Sequence, residues 1–318
     1  MVTSPDATAP STRAIKVGVV LPMFSGDPHK VLSAAVQAED LGFDGVFAFD
    51  HFFPPGAAPD RPALEAFTTL AAVAASTERI QLGTLVTRVI LRPPGMLAKM
   101  ASTIDVISGG RMILAVGTGD PIDRPEHDTF GFANLSVKER RAHLAETIAG
   151  LKALFRGEPY PGGEHLPALK GPLLPPPVRS GGPPIWVGAQ SDEVVRMAAE
   201  TADGWNGWGL APPKFREKAQ VLAEAASGAG RQVEATWAGI VLLGEDEAEV
   251  ERLVQDRRKR GMDDGVAFAG TADGFAEYVR ELAKAGATWA IVVLAGPPGR
   301  RQLLADRVLP ALTSPSAD

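Results

Sequence analysis

Short apolar runs and amphipathic helical patterns alternate from one end of this chain to the other, and that alternation is what most restricts its fold. Strands are expected at Ile15–Leu21, Val46–Phe49, Arg79–Val86, Met112–Val116, Ile185–Val187, Gly204–Asn206, Glu234–Leu243 and Thr288–Leu294. Helical patterns fall between them at His29–Leu41, Ala63–Ser76, Pro93–Ile107, Val137–Phe155, Ser191–Thr201, Pro213–Ala226, Glu247–Arg260 and Thr271–Ala285, with Arg300–Leu312 closing the chain. Val46–Phe49 is apolar throughout, as a parallel strand buried on both faces must be. About eight strands with helical crossovers in 318 residues predict an α/β fold, a single (β/α)8 TIM barrel over residues 14–318. The competing doubly wound sheet lacks a Gly-x-Gly-x-x-Gly turn after any strand and a composition break between halves.

One stretch breaks the rhythm. Residues 156–184 are rich in proline and glycine and read as an insertion near the fifth strand, with room for a short hairpin. Residues 1–13 have no apolar core and are expected to be a disordered tail rather than a signal peptide. A net charge of −6 argues against a general nucleic-acid binder, and the basic run Arg257–Arg260 ends an acidic helical stretch, so it reads as a solvated helix face. The chain has no cysteine, which removes disulfides, thiolate nucleophiles and Cys-ligated metals. No apolar stretch reaches membrane-spanning length, and a soluble cytoplasmic protein is expected.

In a barrel, the residues that follow each strand converge on one face, where the chemistry is done. Asp50 and His51 follow the second strand, Thr84–Arg88 the third, and Gly117-Thr118-Gly119-Asp120 the fourth. Gly188-Ala189-Gln190-Ser191 follows the fifth strand and Trp205-Asn206-Gly207-Trp208 the sixth. Glycines at 117 and 119 let a ligand approach the backbone. Gly188–Ser191 runs into a helix whose free amides suit a phosphate, although Ser191 as a plain N-cap with Asp192 and Glu193 behind it accounts for the loop as well. Asp120, Asp123, Glu126, His127 and Asp128, taken with Asp50 and His51, raise the possibility of a metal-dependent hydrolase. No His-x-His pair follows the first strand, so a solvated acidic loop without metal is the expected reading. His29, His143 and His165 are given no chemistry, and Ser108–Arg111 precedes a strand, on the stability face.

Together these segments resemble the luciferase-like monooxygenase family from about Ile15 to the last helix. The resemblance lies in Ala38–Asp44 leading to Asp50-His51-Phe52, Arg79–Thr84, Leu97–Lys99 through Ile107–Arg111, Gly117-Thr118-Gly119, Pro184–Gly188 through Ala202–Trp205, and Gly270-Thr271. It implies a (β/α)8 barrel that binds coenzyme F420 or FMN at its carboxyl face, and the Asp-His-Phe form looks like the F420 branch. The resemblance further implies that Asp50 and His51 contact the deazaflavin ring, with His51 as proton donor or acceptor. It places Leu85-Val86 at a non-prolyl cis peptide behind the ring, Thr87, Thr118 and Gly119 along it, and Gly188, Ala189, Gln190 and Ser191 at the phosphate end. Asp120 stands where sugar-phosphate dehydrogenases of the family have Glu, and is the second catalytic candidate. Phe53-Pro54-Pro55 stands where those enzymes have Trp, and both departures argue against a sugar-phosphate substrate.

The expected activity is hydride transfer between coenzyme F420 and a small organic substrate. An FMN-dependent two-component monooxygenase using reduced flavin and O2 is the alternative, and the metal-dependent hydrolase and a flavin binder without turnover are lesser ones. A homodimer served by a flavin or F420 reductase is implied by the resemblance. The substrate pocket is expected from the loop after Phe52, the 156–184 insertion and Trp205–Trp208.

Overall fold

The computed structural model describes residues 13–55, 60–262 and 265–313. Residues 1–12 of the expected tail lie outside the described residues; Arg13 bridges to Thr313 and pairs with Asp44 at 2.8 Å.

Eight parallel strands close a barrel: β1 (Lys16–Val20), β2 (Gly45–Ala48), β3 (Gln81–Thr84), β5 (Met112–Gly117), β6 (Ile185–Gly188), β7 (Gly204–Trp208), β8 (Glu234–Gly244) and β10 (Trp289–Ala295). Two further strands join the sheet. The two-residue β4 (Thr87–Arg88) pairs with the end of β5. β9 (Val266–Thr271), which carries no strand signal in its Ala- and Gly-rich, half-exposed sequence, pairs with the upper half of β8. β8 is long enough to meet β7 below and β9 above while β10 runs along its other edge, and β10 closes the ring onto β1.

The alternation of side chains divides each strand between two cores. Outward residues such as Val46, Leu114 and Val187 pack against the helices, while Phe47, Ile113, Ala115, Trp186, Trp289 and Ile291 fill the barrel's interior. Phe47, Trp186 and Trp289 meet there with ring centroids 5.7–6.0 Å apart, so the barrel is a packed plug, not a channel. The outer layer is α1 (Pro28–Asp40), α2 (Ala66–Ser76), α3 (Pro94–Ile107), α5 (Val137–Phe155), α6 (Asp192–Thr201), α7 (Pro212–Gly228), α8 (Glu247–Lys259), α9 (Ala272–Lys284) and a closing helical stretch from residue 300 to 311.

Two expectations need correction. The 156–184 insertion joins the end of α5 to the start of β6, so it lies by the amino ends of the strands. Tyr160 and Leu169 form its short hairpin bridge, Asp105 of α3 accepts the Val178 amide, and Glu146 of α5 accepts the amides of residues 164–166. It therefore cannot wall a pocket at the carboxyl face. The supposed acidic loop is instead a short helix, α4 (Arg124–Phe130), inserted between β5 and α5 on that face. Its i, i+3, i+4 spacing buries Asp123, Glu126 and His127 (3%, 1% and 6% exposed) and leaves Asp120 and Asp128 outside.

Candidate active site

β2 delivers Asp50 and His51 to the carboxyl face, and their roles divide at once. Asp50 is buried, and Arg92 grips its carboxylate through two bonds of 2.7 and 2.9 Å while reaching Glu65 at 2.6 Å. Arg88 donates to its backbone carbonyl at 2.9 Å. The side chain of Asp50 thus anchors the strand end and is not free for the ring contact expected of it. Arg88 closes the strand-end segment Thr84–Arg88 but carried no assigned role, and Arg92 lies outside every segment singled out in the sequence. Their signal is the spacing, two cations four residues apart just beyond a buried strand.

His51 stays half-buried, with Nδ1 2.7 Å from Oε1 of Glu126. The other oxygen of Glu126 accepts the Phe52 amide at 2.8 Å and Arg88 at 2.6 Å. Burial alone would raise the Glu126 carboxyl; the bond from His51, the Phe52 amide and the charge of Arg88 outweigh it and hold the group below its ordinary range. An ionised Glu126 assigns the imidazole proton to Nδ1 and leaves Nε2, which has no hydrogen-bond partner among the described residues, to face a reactant. Glu126, expected from the sequence to lie in a solvated acidic loop, is instead the buried partner of His51.

His51, Asp123 and Glu126 bring three ligand atoms within 4.8 Å of one another, the grouping a metal reading would need. However, Arg88 Nη2 lies 2.6 Å from Glu126 and Nη1 3.6 Å from Asp123. The guanidinium fills the place of a cation and balances both acids, so the donor set does not fit a metal ion.

Asp120 opens to solvent beside this cluster, its amide donating to Asp123 at 2.7 Å. Crowding by protein, and then the neighbouring Asp123, raise its carboxyl; Arg140 and His51 pull the other way without prevailing. Thr118 and Gly119 are half-buried, and the Gly119 carbonyl accepts Arg140 at 2.6 Å.

After β3, the strand next to β2, the Leu85-Val86 peptide is cis. Val86 then leans over two glycines. A Cβ on Gly117 would meet Val86 at 2.7 Å and one on Gly188 would meet it at 3.0 Å, so neither position tolerates a side chain without displacing Val86. Thr87 is buried, and its Oγ1 has no partner among the described residues. Val20, Phe49, Val86 and Trp208 form the half-buried apolar rim of the barrel's interior. This cradle, with an unpaired hydroxyl at its edge, suits a flat ring.

The loop Gly188–Ser191 enters α6 with Ser191 at the N-cap position, yet its hydroxyl caps nothing. Asp192 pairs with Lys218 and Glu193 with Arg141, so neither acid is left uncompensated. Ala189 is held between the amide bond to Asn206 and the Trp205 indole, and Gln190 reaches the Trp208 carbonyl at 3.3 Å. Among the other expected features, Arg111 donates to the carbonyls of Ala74, Thr77, Ile80 and Ser108, a purely structural clamp on the amino side.

A family model described as luciferase-like monooxygenase matches residues 15–292. The chain belongs to the luciferase-like monooxygenase family. An F420-dependent glucose-6-phosphate dehydrogenase of Nakamurella multipartita is 31% identical over 239 residues, 73% of this chain and 68% of that protein. One from Microbacterium testaceum is 32% identical over 212 residues, 64% of this chain and 60% of its own, so the chain spans under two thirds of this second relative. Among solved structures, an F420-dependent secondary alcohol dehydrogenase in complex with an F420-acetone adduct matches with a TM-score of 0.81 at 19% identity, over 94% of this chain and 99% of that one. This luciferase-like fold is therefore shared with distant flavin and deazaflavin enzymes.

Proposed function

We propose that this luciferase-like protein is an oxidoreductase that binds coenzyme F420 at the carboxyl face of the barrel and passes a hydride between it and a small organic substrate. The observation that carries the reading is one mouth holding two different walls. On one side stands a histidine whose Nδ1 is committed to a buried, ionised Glu126. Next to it, after the neighbouring strand β3, stands Val86, seated over Gly117 and Gly188. The names of the curated relatives favour F420 over FMN.

When bound, the coenzyme would supply the hydride acceptor or donor. The chain would supply position and proton handling. Leu85, Val86, Thr87, Thr118 and Gly119 would bound the ring, with Gly188, Ala189, Gln190 and Ser191 at the phosphate end. Nε2 of His51 would take the proton of a substrate hydroxyl in one direction and return it to a carbonyl oxygen in the other. Asp120, with its raised carboxyl, would be the second acid at the mouth. A cytoplasmic homodimer served by a partner reductase belongs to the same reading. No described helix is long and apolar enough to cross a membrane.

Oxygen dependence tests the chemistry. Under strict anaerobiosis, substrate oxidation should proceed with one F420 reduced per substrate consumed. Turnover that requires O2 and reduced FMN would replace this proposal with the monooxygenase alternative.

A further inference from the structure

The wall beside His51 is aromatic, and each arginine near it already faces a carboxylate or a carbonyl. Phe24 follows β1, Phe49 follows β2 and Trp208 ends β7, so three separate strands present rings at one face. Phe24 and Phe49 are stacked at 5.9 Å, Phe49 meets Trp208 edge-on at 5.9 Å, and His51 lies 6.3–6.4 Å from both phenylalanines. All four are half-buried, and so reach solvent at the mouth. Just outside, Phe52 contacts Phe130 at 4.8 Å and Phe132 at 5.7 Å, and Phe130 and Ile122 are 52% and 53% exposed on the α4 excursion. Large apolar side chains left half in water around one histidine mark a surface waiting for an apolar ligand.

A phosphorylated sugar would need cations here, and the charges of those nearest are already offset by carboxylates of the chain. Arg88 is bound to Glu126 and the Asp50 carbonyl, and Arg92 to Asp50 and Glu65. Both are buried. Arg140 donates to the Gly119 carbonyl and lies in the field of Asp120. Asp120, exposed at the mouth, adds a like charge that opposes a phosphate dianion.

We propose, resting on the F420 reading, that the substrate is an uncharged apolar alcohol or its carbonyl counterpart, held by Phe24, Phe49 and Trp208 with its oxygen at His51. A sugar phosphate is not the substrate, whatever the names of the curated relatives. In the oxidising direction Nε2 of His51 would take the O–H proton as C–O becomes C=O, and F420, when bound, would supply the acceptor for the carbinol hydrogen as hydride. Two electrons and one proton thus reach the coenzyme as hydride, and the second proton reaches the histidine.

The test uses cyclohexanol and glucose 6-phosphate as probes of the full chain, first without coenzyme. Indole N–H signals are followed by NMR, with Trp208 assigned through Trp208→Phe. Cyclohexanol should shift the Trp208 signal saturably, and glucose 6-phosphate should leave it unmoved at the same concentration. Phe24→Ala, at the half-exposed edge, should weaken cyclohexanol about tenfold in the Trp208 titration, and Trp208→Ala should do the same in calorimetry, the loss expected for removing a ring from a ligand contact. With F420 added, cyclohexanol and not glucose 6-phosphate should reduce the coenzyme. A Trp208 signal that answers glucose 6-phosphate, or neither probe, overturns the proposal, as does F420 reduction by glucose 6-phosphate alone. Cyclohexanol binding at Trp208 in a protein that refuses F420 would uphold the apolar pocket and overturn the coenzyme reading instead.

Discussion

Replacing Glu126 by Gln separates the two duties assigned to that carboxylate. Glu126 is 1% exposed and faces three donors, His51 Nδ1, the Phe52 amide and Arg88, with Asp123 as the neighbouring acid. An amide keeps the volume, but it loses the charge and turns an N–H2 toward at least one donor. Breaking a buried ion pair costs about 3–5 kcal/mol, because the surviving charge is left uncompensated. Asp123, 3.6 Å from the other arm of Arg88, compensates in part, so the cost should sit near the lower limit, about 3 kcal/mol. That is roughly a hundredfold in the unfolding constant. The pH dependence has a definite sign. Because the folded-state carboxyl is held below its ordinary value of 4.5, its contribution is present above that pH and fades as pH falls through the depressed folded value. Urea unfolding of both proteins should therefore show the full gap at neutral pH and a shrinking one in acid. Nitrogen NMR of His51 should show the Nδ1-protonated tautomer in the parent protein and a mixture in the variant. A gap under about 0.5 kcal/mol at neutral pH, one unchanged in acid, or an Nε2-protonated His51 in the parent would refute the reasoning.

Other outcomes follow from the same geometry. Asp120→Asn should stabilise the protein slightly, by less than about 1 kcal/mol given its solvent access, because its raised carboxyl is penalised when charged. The gain should emerge as pH rises through the raised value and vanish in acid; an acid-only gain in melting experiments would contradict the assignment. Gly117→Ala puts a methyl 2.7 Å from Val86 and should cost about 1–3 kcal/mol while weakening coenzyme affinity at least tenfold, as read by calorimetry and fluorescence titration. Arg111→Met strips four carbonyls of their donor on the opposite face, so stability should fall by about 2–4 kcal/mol with coenzyme affinity unchanged.

The barrel was legible because its strands are short, mostly apolar runs and its helices are amphipathic, a contrast that survives without any long-range information. The order of the strand-end segments was legible too, since each follows a recognisable strand. β9 was hidden because it flanks the barrel half-exposed, where neither alternation nor continuous burial marks a strand. The acids of α4 were misread because net charge along a short segment says nothing about which face is turned inward; the spacing of Asp123, Glu126 and His127 between Pro121 and Gly131 held that information. Asp50 and His51, neighbours in sequence, point to opposite fates because successive side chains leave a strand end in opposite directions. Glu39, part of the Ala38–Asp44 segment, proves structural: its carboxylate accepts the amides of Glu78, Arg79 and Ile80 on the far side of the barrel from the mouth.

Titration of the purified chain with F420 and with FMN, followed by quenching of coenzyme fluorescence, tests the central claim most directly. F420 should bind saturably at least tenfold more tightly than FMN, and His51→Asn should keep that affinity while losing turnover. Preference for FMN, or normal turnover in His51→Asn, would contradict it.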